Sequence, residues 1–84
     1  MELLDFYADW CGPCQMLKPT LEEFEKKHPE IKVTRVNIDE DEETAEKYGV
    51  SGIPCLVVLK DGEEVAREMG VMPLKKIEKL VGVK

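Results

Sequence analysis

The sequence lacks the features typical of membrane proteins and of secreted, disulfide-rich proteins. It has three cysteines, an odd number that cannot all pair, so we do not expect a secreted scaffold held together by disulfides. No apolar run is long enough to cross a bilayer, and no signal peptide precedes Asp5. These features predict a protein of the reducing cytoplasm with no membrane partner.

Positive charge is also scarce. Lys and Arg together number 12 against 18 for Asp and Glu, which leaves a net charge of -6. An acidic surface argues against nucleic acid or an anionic membrane as a partner. The 84 residues contain no repeat, linker or low-complexity segment. We therefore expect one domain over 1–84 with a small core, acting as a monomer.

What the chain does have is a pair of thiols at close spacing, in the run Cys11-Gly12-Pro13-Cys14. Residues three apart lie about 5–6 Å apart in the first turn of a helix, within reach of a disulfide. Apolar residues then recur at helical spacing at Cys14, Leu17, Leu21 and Phe24. This register predicts that Cys14 faces the core and that Cys11 lies exposed at the open end of the helix.

The start of a helix favours a thiolate. Its free N–H groups and dipole stabilise a negative charge by about 0.3–1 kcal/mol, enough to lower a thiol pKa by on the order of one unit. Pro13 suits a first helical turn, and Gly12 leaves room for another backbone to approach Cys11. A zinc site would use the same spacing, but only His28 and Cys55 remain as further ligands, so we expect no metal.

The remaining chain predicts short strands alternating with helices. Asp39 with Glu42 resembles a capping box for a second helix, which Gly49 ends, and His28 is interpreted as a polar residue at the end of the first helix. Asp61-Gly62 predicts a hairpin, and Pro73 opens the last helix. The predicted strands are Glu2–Ala8, Ile31–Ile38, Cys55–Leu59 and Glu63–Met69, and the predicted first helix is Pro13–His28.

The segment from Leu4 to Cys14, with Pro19 after it, resembles the active-site segment of the thioredoxin family. The likeness extends over nearly the whole chain, through Val36-Asn37-Ile38-Asp39, Lys47-Tyr48-Gly49-Val50, Gly52-Ile53-Pro54, Lys60-Asp61-Gly62 and Gly70. The family's first strand and helix have no counterpart here. The resemblance implies a minimal α/β thioredoxin fold, β-α-β-α-β-β-α, with a four-stranded mixed sheet in the order 2-1-3-4 and three flanking helices.

The resemblance also implies a function and assigns roles to residues. The chain would reduce disulfides of client proteins, with Cys11 attacking and Cys14 resolving the mixed disulfide. Asp5 matches the family's buried aspartate, which accepts the Cys14 proton, and Arg35 replaces a nearby lysine and would tune it. Residues expected to form the client groove are Trp10, Gly12, Pro13, Ile38, Ile53, Pro54 and Gly70. Cis bonds before proline are uncommon, so the sequence alone predicts a trans bond before Pro54, whereas the resemblance implies cis. No bound cofactor is expected, and electrons would come from a thioredoxin reductase-like partner.

Several alternatives stay open from the sequence. The chain could be an oxidant or isomerase of the same superfamily, a glutaredoxin-like protein, or an adaptor without activity. Asp5 could face water at a sheet edge, and Arg35 could be an exposed edge-strand residue. Cys55 replaces the threonine that usually follows the family's proline, and it is either a small buried thiol or a third redox sulfur.

Overall fold

The architecture follows from a computed structural model that describes residues 1–83. In chain order the elements are β1 (Glu2–Tyr7), α1 (Gly12–Lys27), β2 (Lys32–Asn37), α2 (Glu42–Lys47), β3 (Cys55–Lys60), β4 (Glu63–Met69) and α3 (Leu74–Val81). The four strands form one sheet in the order β2-β1-β3-β4. The predicted element order and strand order are therefore confirmed. None of the helices within 1–83 is long and apolar enough to cross a membrane.

The two central strands are the most apolar ones. In β1 four consecutive residues are buried, and in β3 the first five are. β1 pairs with β2 in parallel and with β3 antiparallel, and β3 pairs with β4 antiparallel. Continuous apolar runs are expected where both faces of a strand are covered, because neither row of side chains then meets water. Only β2 and β4 lie at the edges, and both are more exposed.

Alternate residues of the central strands feed two separate cores. On one face, Leu3 and Leu56 pack with the apolar stripes of α1 and α3. On the other face, Phe6 and Val57 pack with residues of α2 and its flanking loops. The fold is thus three-layered, with α1 and α3 on one face of the sheet and α2 on the other. Asp5 follows Leu3 by two residues, so its side chain belongs to the α1 face.

Helix α1 begins at the cysteine pair. Cys11 is its N-cap, Pro13 stands in its first turn, and the helix continues through Pro19. Its buried residues are the predicted stripe, Cys14, Leu17, Leu21 and Phe24. The helix ends at His28, in agreement with the restriction that Pro29 places on the residue before it.

The predicted capping box of the second helix is wrong. The N-cap of α2 is Asp41, whose carboxylate accepts from the backbone N–H of Thr44 at 3.1 Å and from its hydroxyl at 2.7 Å. Asp39 lies two residues earlier, where its own N–H donates to the side chain of Asn37 at 2.9 Å. Asn37 turns the chain before the helix can start, because its backbone oxygen also accepts from Glu40 and Asp41.

His28 is at the helix end as predicted, and it is buried. It is 5% exposed and its Nε2 lies 2.6 Å from Oε2 of Glu78 on α3, a residue that is itself 6% exposed. Lys27 pairs with the same carboxylate at 2.8 Å. The burial of Glu78 was not predicted, since a single glutamate on an otherwise regular amphipathic helix carries no such signal.

Tight turns fall where the sequence places glycine. The β3–β4 hairpin turns at Asp61 and Gly62, with φ of 53° and 82°. Positive φ at both central residues is what a two-residue hairpin with the right twist requires. Gly49, with φ of 62°, follows α2 as predicted.

Candidate functional site

Cys11 and Cys14 are joined by a disulfide bond at the N-terminus of α1, with their Cα atoms 5.2 Å apart. The backbone N–H of Cys14 points at the sulfur of Cys11, with 3.2 Å between N and Sγ. The N–H of Gln15 donates to the Cys11 carbonyl at 3.2 Å. The first turn of the helix therefore aims a donor at the Cys11 sulfur, and a donor stabilises the ionised form of its acceptor.

The predicted difference in exposure between the two cysteines is wrong for this disulfide-bonded form. Both residues are 6% exposed. They share a small apolar cluster with Ala8, which is joined by the partly buried Ile38 and Ile53. These neighbours cover both sulfurs. What does distinguish the pair is position, because Cys11 caps the helix while Cys14 lies inside it on the buried stripe.

Asp5 lies beneath the cysteine pair. It is 6% exposed, on the α1 face of β1, and with Cys14 it lines a pocket of about 140 Å³. The full lining of that pocket is Asp5, Tyr7, Asp9, Cys14, Gln15, Lys18 and Arg35. Burial raises the pKa of Asp5 from 3.8 to about 6, because an apolar setting disfavours the charged carboxylate. The edge-strand alternative for Asp5 is excluded, because β1 is a central strand.

Arg35 sits directly beside Asp5 in the sheet, as its register partner on the parallel neighbour β2. Its positive charge opposes the effect of burial and lowers the pKa of Asp5, while the negative charge of Glu25 raises it. The guanidinium is not simply exposed, since it donates from Nη2 to Oε1 of Glu25 at 2.7 Å. The charges around Asp5 therefore come from two elements, β2 and α1.

Two of the predicted groove residues lie against the cysteines. Ile38 and Ile53 contact the cysteine cluster, and the peptide bond between Ile53 and Pro54 is cis, as the resemblance implied. The Pro54 carbonyl accepts from the N–H of Gly70 at 2.9 Å, and Gly70 has φ of 96°, a region that favours glycine. The space beside Gly12 is open, since a Cβ there would meet no atom within 4 Å.

Trp10 makes a contact that the sequence does not predict. Its ring is 69% exposed, and its Nε1–H donates to Oδ2 of Asp39 at 2.7 Å. The sequence predicts that Asp39 caps α2. Because Asp41 is the cap instead, the Asp39 carboxylate is available to accept from the indole. Met16 was also missed: it is 68% exposed, four residues after Gly12 on the same helix. The available signal was an apolar residue two positions after Cys14 that does not belong to the predicted apolar stripe.

Cys55 does not join this site. Its side chain packs with Phe6 and Val57 on the α2 face of the sheet, opposite the face that carries Asp5. It is fully buried and unpaired, and burial raises the pKa of its thiol. Burial and a raised pKa both suppress thiolate chemistry. The structure thus agrees with the small buried thiol and not with a third redox sulfur.

No group of three or more possible metal ligands occurs among residues 1–83. His28 and Cys55 lie in separate parts of the fold, His28 at the far end of α1 and Cys55 in the α2-side core.

Comparison with known proteins agrees with this geometry. The model of the thioredoxin family matches residues 1–82. A thioredoxin of Bacillus subtilis is 48% identical over 80 residues, which cover 94% of this chain and 77% of that protein. A thioredoxin of Chlamydia pneumoniae is 51% identical over 69 residues, covering 82% and 68%. Among solved structures, the thioredoxin of Fasciola hepatica superposes with a TM-score of 0.90 at 40% identity, over 99% of this chain and 80% of that one.

Proposed function

The chain belongs to the thioredoxin family and is a thiol-disulfide oxidoreductase, and we propose that it reduces protein disulfides through Cys11 and Cys14 with Asp5 as the proton acceptor. The observation that carries the proposal is the disulfide between the N-cap residue of α1 and the first buried residue of the same helix, above a buried carboxyl. The reaction exchanges one disulfide for another, so it needs two thiols and no bound cofactor.

In the first step Cys11, as thiolate, attacks one sulfur of the client disulfide. A mixed disulfide forms between Cys11 and the client, and the second client sulfur leaves as a thiolate. The N–H of Cys14, 3.2 Å from the Cys11 sulfur, supports this role because it stabilises negative charge on that sulfur. Pro13 leaves the first turn without an unpaired N–H at its own position.

In the second step Cys14 attacks the Cys11 sulfur and releases the client as a second thiolate. The client has then gained two electrons, and the Cys11–Cys14 disulfide holds the oxidation. Cys14 must lose its proton to react, and Asp5 lines the same pocket as Cys14. A carboxyl with pKa about 6 is ionised at neutral pH yet still basic enough to accept a proton, directly or through water.

The client would bind along the surface formed by Trp10, Gly12, Pro13, Ile38, Ile53, Pro54 and Gly70. Its shallow, largely apolar character favours recognition of backbone over sequence, with a short β-bridge to the chain at Ile53. The hydrogen bond from Trp10 to Asp39 supports this role, because it fixes an exposed indole at the edge of the groove.

A thioredoxin reductase-like partner would return electrons to the disulfide. The odd cysteine count, with Cys55 as a free thiol, supports a reducing compartment such as the cytoplasm. We propose that the chain acts there as a single-domain monomer.

Reduction of insulin by dithiothreitol, or by a reductase with its electron donor, tests the activity. We expect turnover with the wild-type chain and with Cys55→Ser, and loss of turnover with Cys11→Ser. Cys14→Ser tests the order of attack, because it should leave clients trapped as mixed disulfides on Cys11. Absence of turnover with the wild-type chain would support the adaptor alternative and reject the proposal.

The oxidant, isomerase and glutaredoxin-like alternatives predict a higher reduction potential for the Cys11–Cys14 pair. Equilibration of the chain with mixtures of reduced and oxidised glutathione measures this potential. A reductant remains largely in its disulfide form under conditions where an oxidant is already reduced. We expect the reductant result, since the Gly-Pro pair between the cysteines resembles the reductant members of the family.

A further inference from the structure

Asp5 has a permanent cation as its neighbour, yet the two do not pair. Arg35 is its register partner on β2, but no ion pair within 4.0 Å joins them in the part of the chain that the structure describes. A guanidinium is always charged and fits a carboxylate with two parallel hydrogen bonds. Such a pairing would hold Asp5 as a carboxylate and make it a weak acceptor for the Cys14 proton.

The guanidinium is occupied elsewhere. Its Nη2 donates to Oε1 of Glu25 at 2.7 Å, and the Arg35 and Glu25 side chains are 27% and 41% exposed. Its Nη1 is buried and has no hydrogen-bond partner among residues 1–83. Because the guanidinium is planar and rigid, fixing Nη2 also fixes where Nη1 points. Glu25 therefore sets the orientation of a charge that also lines the pocket beside Cys14.

We propose that Glu25 is a positioning residue of the redox centre: by binding the outer nitrogen of Arg35 it keeps the guanidinium from pairing with Asp5, and so preserves Asp5 as the acceptor of the Cys14 proton. The inference rests on the proposed role of Asp5. Glu25 lies eleven residues beyond Cys14, in the last turn of α1, so it cannot be recognised from the CxxC motif. It needs no contact with the client.

Other charged or titratable groups lie near Asp5, and their effects have to be separated from that of Glu25. Those on the same face are Arg35 from β2, Cys14 and Lys18 from α1, and Tyr7 and Asp9 from β1 and the turn after it, while Cys55 of β3 lies on the opposite face of the sheet. Cys14 is silent in the disulfide-bonded protein, because a bonded sulfur does not titrate. The oxidised chain is therefore the form in which to titrate Asp5.

The test follows the carboxyl ¹³C resonance of Asp5 against pH in the oxidised chain. In Glu25→Gln we expect the midpoint to fall by roughly half a unit to one unit, because Arg35 is released toward Asp5 and a negative charge is lost. Glu23→Gln is the matched control. It removes the same charge from an exposed site about 200° around the same helix, and should leave the midpoint nearly unchanged.

Repeating the measurement in an Arg35→Met background distinguishes two effects of Glu25. One is its hold on the Arg35 guanidinium, and the other is the direct effect of its negative charge on Asp5. If Glu25 acts through Arg35, Glu25→Gln should shift the midpoint less than half as far in that background. An equal shift in both backgrounds, or no shift in Glu25→Gln alone, overturns the proposal.

The second readout is the pH profile of mixed-disulfide resolution, measured by stopped-flow in the reduced chain. Its acid limb should move with the Asp5 midpoint. The rate at pH 7 should fall by at most about threefold for a shift of half a unit and at most about tenfold for a shift of one unit. If the Asp5 titration midpoint shifts but the pH profile of mixed-disulfide resolution does not, Asp5 is not the proton acceptor. The proposed role of Glu25 in the reaction is then rejected as well. Insulin reduction by the wild-type chain would stand in that case.

Discussion

Asp5 is a carboxyl group in an apolar central strand, and it makes the stability of the fold depend on pH. Its pKa is about 6 in the folded chain against 3.8 ordinarily, mainly because of burial. The folded state thus binds the Asp5 proton more tightly than the unfolded state does. This favourable contribution is fully present below pH 3.8 and is lost as the pH rises through about 6. At neutral pH the folded chain therefore holds a buried negative charge.

Replacing that charge should stabilise the protein at high pH only. In Asp5→Asn we expect the free energy of unfolding to rise by about 2–3 kcal/mol at pH 8, because a shift of two pKa units corresponds to about 3 kcal/mol. Near pH 4 the two proteins should differ little. Guanidinium unfolding of the oxidised chains at both pH values measures the difference.

The matched control is Asp61→Asn in the exposed hairpin turn, where Asn tolerates the positive φ. It should change stability little at either pH. A gain in Asp5→Asn that is as large at pH 4 as at pH 8 would mean that ionisation of Asp5 is not its cause.

At the scale of elements, α2 depends on one side chain for its start. It has six residues and none of them is fully buried, so packing holds it only through partly buried side chains such as Ala45. The carboxylate of Asp41 satisfies the N–H of Thr44, and the bonds from Thr44 lower the pKa of Asp41. Short helices have little stability of their own without tertiary contacts, so the Asp41 cap contributes a large share of the stability of α2.

Asp41→Ala should therefore lower the thermal midpoint by a few degrees, whereas Asp39→Ala should not affect the helix start. The second variant instead releases the Trp10 indole, which should change tryptophan fluorescence. The pair of variants distinguishes the two aspartates directly. Equal thermal losses in both would contradict the assignment of the cap to Asp41.

A second element-scale feature joins α1 to α3. Glu78 accepts from Lys27 and His28, and these two bonds hold its pKa below the ordinary value of 4.5. A lowered pKa stabilises the folded chain above pH 4.5, and this stabilisation is lost as the pH falls through the folded pKa.

Glu78→Gln should accordingly lower the thermal midpoint at pH 7 by several degrees, since it weakens two bonds and leaves His28 buried beside a neutral amide. The loss should shrink on acidification below pH 4. Glu63→Gln, at an exposed position of β4, serves as the control and should have little effect. A loss independent of pH would show that packing of the side chain matters, and not its charge.

At the scale of the whole molecule, Cys55 reports on global unfolding. It lies at 0% exposure in a central strand, flanked by β1 and β4. Reaching it requires opening of the sheet, and the core strands of a small domain usually open only with the whole fold.

In the oxidised chain we expect no thiol to react with a disulfide reagent such as DTNB under native conditions, and one to react in guanidinium. Cys55→Ser should give no signal in either. Fast labelling of the oxidised wild-type chain under native conditions would contradict the burial of the Cys55 thiol. A disulfide cross-link to Cys55, found by mass spectrometry, would support its role as a third redox sulfur.

Much of this molecule was determined by local sequence rules. The order of elements, the hairpin at Asp61-Gly62 and the apolar stripe after Cys14 follow from periodicity and turn chemistry, which act over a few residues. Strand order and the cis bond before Pro54 came from the family resemblance, because no local rule fixes either.

Only the tertiary structure decided which polar side chains from distant parts of the chain meet. Glu25 reaches Arg35, Glu78 reaches His28, and Asp39 reaches Trp10 across separations of 10, 50 and 29 residues. The equal burial of Cys11 and Cys14 likewise depends on Ile38 and Ile53, which arrive from other loops. Such contacts depend on the packing of distant elements, and periodicity is silent about them because it describes each element alone.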